Sequence, residues 1–181
     1  MEFITPIFKW IHIIAGVLWI GLLYFFNWIN GHVAATMDGD TKKKVVPELM
    51  PRALYFFRWG AAWTWVTGMV LLLLVYWMQM NDSMFRELGI GEEASKFKHV
   101  AYLIPFIMVF VYDAFYKSSL AKNTRVATIT SFMGIAGVLC LLICVSQMTS
   151  YRAYNIHLGT MFGSMMAFNV WYRIWPAQQR I

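Results

Sequence analysis

Charge is scarce in this sequence. Asp, Glu, Lys and Arg make up 13% of its 181 residues, about half the share of a soluble domain, so too few polar groups remain to coat a water-facing surface. Cysteine is nearly absent. Its two residues, Cys140 and Cys144, lie inside the apolar run 138–145, where neither a disulfide framework nor a zinc site is expected. Their i, i+4 spacing puts them on one helix face, and packing is their expected role. The chain contains no Cys-x-x-Cys-His, which excludes covalent attachment of a c-type haem by this chain. The N-terminal Met-Glu-Phe-Ile-Thr-Pro lacks the basic region of a signal peptide, so the first apolar stretch is expected to stay in the mature protein. Internal repeats and low-complexity tracts are also missing.

Apolar residues fill the space that charge leaves: 60% of the chain is hydrophobic and 18% aromatic. A bilayer core about 30 Å thick takes roughly 20 apolar residues per helix, so the chain is expected to be an all-α integral membrane helical bundle of about five transmembrane helices in one domain. The spans are predicted at 6–28, 55–78, 99–116, 126–148 and 154–175. Thr5 is the expected N-cap of the first span, with Pro6 at the first helical position. Asn30-Gly31 ends that span, and a polar loop carrying Lys42, Lys43 and Lys44 leads to the second. Asn81-Asp82-Ser83 breaks the second span, Pro105 kinks the third, and Pro176 stops the fifth.

The net charge of +6 comes from basic residues scattered between apolar runs, a pattern that fits membrane orientation rather than nucleic acid. Ten basic residues near helix ends fall on one side (42–44, 52, 58, 117, 122, 125, 173 and 180) and five on the other (9, 86, 96, 98 and 152). The positive-inside rule then places the N-terminus outside and the C-terminus in the cytoplasm. Tryptophans at 10, 28, 77, 171 and 175 sit near span ends as an interfacial belt, and Trp59, Trp63 and Trp65 are deeper and expected to pack.

That topology gives the histidines a pattern. His12, His99 and His157 each fall in the first two turns of an odd-numbered span, near the outer face. An ionisable residue inside a membrane helix is a functional candidate, and imidazoles at matching depth on neighbouring helices can clamp a haem iron. The plainer reading is an interfacial histidine bonded to a loop carbonyl. Small residues beside them, Ala15 and Gly16 after His12 and the series Gly159, Gly163 and Ala167 after His157, allow close approach of a macrocycle or simply of a neighbouring helix. No Cys, Asp or Glu lies at the same depth, which favours haem over a bare zinc or copper ion. His12 and His157 are therefore the expected axial ligands of haem b, with His99 at a second centre or near the propionates. Toward the inner side, Arg58 and Asp113 are expected to form an ion pair, and His32, past the first span, to be solvated.

Three segments carry a family resemblance. Residues 10–21 (Trp-Ile-His-Ile-Ile-Ala-Gly-Val-Leu-Trp-Ile-Gly), residues 57–68 (Phe-Arg-Trp-Gly-Ala-Ala-Trp-Thr-Trp-Val-Thr-Gly) and His157-Leu158-Gly159 through Asn169-Val170, with Pro176 and Gln178-Gln179-Arg180, resemble the membrane domain of bacterial cytochrome c-linked urate oxidases. The resemblance implies a respiratory-type membrane oxidoreductase whose electrons leave toward a periplasmic cytochrome c. It also implies that His12 and His157, which stand in the matching motifs, are the residues to examine. Two functional readings stay open, an electron-transfer subunit of a larger respiratory complex and a haem-dependent oxidase of urate or another small substrate, beside a haem-free scaffold. The expected partners are the bilayer and a separate cytochrome c or respiratory subunits. Homo-oligomerisation is open.

Overall fold

A computed structural model describes residues 3–78, 98–146, 148 and 150–179. Among them the chain is helical, with no strand. We label five helices. α1 runs over Ile4–Tyr24 and continues through a π-helical turn, Phe25–Ile29, into Asn30–Thr36. α2 covers Gly39–Leu72 and the π-helical turn Leu73–Trp77. α3 is Lys98–Lys117, α4 is Thr124–Cys140 with the π-helical turn Leu141–Val145, and α5 is Tyr151–Asn169, continued by Val170–Ile174 and Trp175–Gln178. Each expected span overlaps one of these helices, the fourth helix ending at Val145 rather than at 148. Among the described residues, Ile4–Thr36, Gly39–Trp77 and Thr124–Cys144 are long and apolar enough to cross a membrane.

The first two helices outrun their predicted bounds for local reasons. α1 begins at Ile4, so Thr5 is not its N-cap, and Pro6 still lies in the first turn, where a missing N–H costs no intrahelical bond. Asn30-Gly31 does not end it, because Asn30 keeps right-handed helical dihedrals of −60° and −39°. The break comes at Met37, where ψ turns to 139°. Asp38 then caps α2, its carboxylate accepting from the N–H groups of Asp40 and Thr41 at 3.0 Å and from the Thr41 hydroxyl at 2.6 Å. The Thr41 hydroxyl, followed by the Thr41 N–H, holds this carboxyl below its ordinary value of 3.8. With that cap in place, the lysine run 42–44 is helical rather than a loop, and Pro47 and Pro51 are carried inside the helix. α4 starts on Asn123, whose side chain accepts from the N–H groups of Arg125 and Val126. Pro176 does not stop the chain either, since it opens the final turn Trp175–Gln178. The expected break at Asn81-Asp82-Ser83 lies outside the described residues.

The chain divides into two compact units, residues 1–71 with 169–181, and residues 72–168. In the first, Ala15 and Trp19 of α1 are buried, with Phe57, Ala61 and Thr67 of α2. The two helices approach closely at Gly60, where a Cβ would stand 3.3 Å from the backbone nitrogen of Trp19. Gly permits this contact, as in membrane helix pairs. In the second unit, Tyr102 and Ile104 of α3, Val138 and Leu142 of α4, and Ala153 and Met161 of α5 form the core together with Met148. Pro105 is fully buried inside α3.

Large apolar side chains cover much of the surface, among them Val17 at 69%, Phe110 at 70% and Met133 at 70% exposure. Such a surface suits a hydrocarbon surrounding, where apolar exposure carries no penalty. Trp59, Trp63 and Trp65, expected in the packing, are exposed as well. Trp59 and Trp63 line an open groove of about 690 Å³ in the first unit, together with Ile14, Ala15, Leu18, Tyr55 and Gly60. Cys140 and Cys144 are free and exposed, so neither packs in the core.

Candidate functional site

His12 stands in the third turn of α1 and is half-buried. Its Nδ1 lies 2.9 Å from the carbonyl oxygen of Thr64 and 3.1 Å from the hydroxyl oxygen of Thr67, both on α2. A carbonyl oxygen can only accept, so Nδ1 carries the proton. The Thr67 hydroxyl spends its own hydrogen on the carbonyl of Trp63 at 2.6 Å, which leaves its oxygen as a second acceptor for the same N–H. In the neutral ring this leaves the lone pair on Nε2. Next to Thr67, Gly68 makes room for the ring: a Cβ there would stand 3.0 Å from Cε1 of His12 and 3.5 Å from Nδ1. The set Thr64, Thr67 and Gly68, at i, i+3 and i+4, presents one face of α2 to the imidazole.

His157, in α5 of the second unit, is fully buried. Its Nδ1 donates to the carbonyl of Ala153 one turn earlier, at 2.8 Å. Its Nε2 accepts from the indole N–H of Trp77 at 3.3 Å, and since an indole N–H can only donate, both contacts assign the same tautomer. Tyr76 meets the ring edge-on at 6.1 Å between centroids, and Tyr102 lies tilted at 5.8 Å. This histidine is satisfied at both nitrogens inside an aromatic cluster.

The remaining expected residues lie each within its own unit. His99 is in the first turn of α3, and its side chain lies outside the described residues. His32 is exposed, as expected, and its Nδ1 bonds the Trp28 carbonyl. Arg58 belongs to the first unit, where its guanidinium lies 5.2 Å from the centre of the Trp175 ring, in a cluster in which Trp59 and Trp175 both meet Trp171 edge-on. Asp113 belongs to the second unit and bridges to Lys117 at 2.6 Å. A Cβ at Gly159 or Gly163 would meet nothing within 4 Å among the described residues, so helix packing does not account for those two glycines there.

Reading histidines alone missed Thr64, Thr67 and Gly68. Their signal was present as Thr-x-x-Thr-Gly at 64–68, since two oxygens and a glycine at that spacing share one helix face and can receive a ring from a neighbour. Among the described residues no group of three or more His, Cys, Asp or Glu side chains could hold a bare metal ion.

The described residues thus define an all-helical chain with three helices long and apolar enough to cross a membrane, in which His12 of one helix is anchored at Nδ1 by two residues of the next. The chain belongs to the urate oxidase N-terminal family, whose pattern matches residues 39–181. No curated protein and no solved structure matches it. The matched stretch contains His157 and the α2 residues that hold His12, and His12 itself lies ahead of it.

Proposed function

We propose that this chain is a haem-b-binding integral membrane electron-transfer protein of the bacterial inner membrane, passing electrons toward a separate cytochrome c or the subunits of a respiratory complex. The observation that carries the reading is the hold on His12. An axial imidazole needs a neutral ring, a protonated and anchored Nδ1 and a lone pair at Nε2. Thr64 and Thr67 give His12 the protonated, anchored Nδ1, and Gly68 leaves the ring its place. The donor set thus fits a haem iron. His157 is the second proposed ligand and already has the right tautomer, but its Nε2 would have to leave the Trp77 indole to reach a metal. Bound haem would supply a one-electron carrier.

The basic-residue asymmetry supports an N-terminus outside and a C-terminus in the cytoplasm. Family membership favours a second reading, a haem-dependent oxidase of urate or a related purine. Purified protein in detergent tests the first reading by a pyridine haemochrome assay with a haem-to-protein ratio. A ratio near zero after expression with ample haem supply refutes it. Anaerobic addition of urate separates the two readings: reduction of the haem favours the oxidase, and an unchanged oxidised spectrum favours the relay.

A further inference from the structure

Thr67 has no exposed surface, yet it places a hydroxyl against a histidine on another helix. As a helix residue it needs no such partner, because its hydroxyl is already bonded back to the Trp63 carbonyl at 2.6 Å. That back-bond fixes the hydrogen away from His12 and turns the oxygen lone pair toward Nδ1–H. The same N–H also has the Thr64 carbonyl at 2.9 Å. Two acceptors on one N–H are more than satisfaction of a polar group requires. On the far side of the ring contact, Gly68 allows Cε1 to come as close as 3.0 Å to where a Cβ would be, so the ring cannot swing toward α2 if that position carries a side chain.

We propose that Thr67 is a positioning residue for His12, setting the ring's orientation and, through a second hydrogen bond to Nδ1–H, the electron density at the iron-binding Nε2. The inference rests on the haem reading for its consequence at iron and on the hydrogen-bond geometry alone for its consequence at the imidazole. A second acceptor pulls the Nδ1 proton outward and makes the ring a stronger donor, which stabilises ferric over ferrous iron. Removing the hydroxyl therefore shifts the midpoint potential upward and weakens haem retention, on the order of 10-fold as is typical for partners behind a ligand.

Two variants test this. Thr67→Val keeps the shape and removes the oxygen, and it leaves His12 the Thr64 carbonyl, so no donor is orphaned. Thr67→Ser keeps the oxygen and serves as the rescue. The measurements are the Nδ1–H proton shift of His12 in protein labelled with ¹⁵N-histidine, and the midpoint potential of bound haem b by spectroelectrochemistry, both in detergent micelles. The proposal expects an upfield move of the Nδ1–H resonance and a raised potential in Thr67→Val, with both restored in Thr67→Ser. A wild-type proton shift in Thr67→Val overturns it, as does a wild-type potential in that variant. If wild-type protein binds no haem b, the functional reading fails, and the proton shift alone still decides whether Thr67 holds His12.

Discussion

His12 and His157 carry the same tautomer by different means. His12 is held from outside its own helix, by a carbonyl and a hydroxyl 52 and 55 residues away, and among the described residues at one nitrogen. His157 is held mainly from within, by the carbonyl four residues before it, and its second nitrogen is taken by Trp77 inside an aromatic core. The first arrangement spends tertiary contacts on orienting the ring. The second is what a buried histidine needs in order to be tolerated at all. A shared tautomer therefore does not make the two equivalent. Nε2 of His12 has no hydrogen-bond partner among the described residues, whereas that of His157 would have to exchange one partner for another.

Removal of each ring should separate them most. His157→Ala leaves a cavity and an orphaned indole N–H in the core of its unit, at a cost of about 2–4 kcal/mol. His12→Ala, at a half-buried position, costs about 1 kcal/mol. Thermal unfolding of haem-free protein in micelles, followed by circular dichroism, checks the difference. Equal losses would erase the distinction between a packed histidine and a presented one.

The helix contact beneath His12 offers the next test. Gly60→Ala brings a methyl against the Trp19 backbone, which cannot yield as a side-chain tip does, so α1 must move off α2. A loss of about 1–3 kcal/mol is expected, together with a weaker His12 hold, visible as an upfield move of its Nδ1–H resonance. In the other unit, Trp77→Phe keeps the ring contact with Tyr102 and removes the indole donor, at about 1 kcal/mol. If His157 ligates iron, this change frees Nε2 and haem retention should rise. Unchanged retention would speak against a ligand role for His157.

The smallest effect belongs to Asp38, which caps the helix carrying Thr64, Thr67 and Gly68. Because the folded protein holds this carboxyl below 3.8, ionisation favours the folded state. The contribution is complete above about pH 5 and fades as pH falls through the folded value. Asp38→Asn should flatten the acid side of the stability profile without altering it at pH 7 beyond the loss of the charged cap.

Much of the helical architecture was legible in apolar run length, because membrane spans are set by bilayer thickness. Helix ends were less so. Asn30-Gly31 reads as a stop, yet glycine tolerates helical dihedrals as well as others, and the stop passed to Met37 and the Asp38 cap. Lys42, Lys43 and Lys44 read as a loop by polarity, though lysine is a good helix former once a cap begins the helix. The cysteine pair and the deeper tryptophans read as core and proved exposed, since in a chain surrounded by hydrocarbon, apolarity does not tell inside from outside. His12 could be singled out from its place in an apolar helix, but its partners could not, because they depend on which face of α2 meets α1. Arg58 and Asp113 drew attention as opposite charges at similar depth. The structure gives Arg58 the Trp175 ring and Asp113 the Lys117 ammonium one turn on, contacts that a depth argument does not rank.

The central claim is that His12 presents Nε2 to a haem iron. Its most direct test is the haem-to-protein ratio and visible spectrum of His12→Ala beside His32→Ala, each purified from cells supplied with haem precursor. The account predicts that His12→Ala loses its haem or turns it high-spin, while His32→Ala, whose ring bonds its own helix at an exposed position, keeps the wild-type low-spin spectrum. A His12→Ala protein with full haem content and an unchanged low-spin spectrum would contradict it.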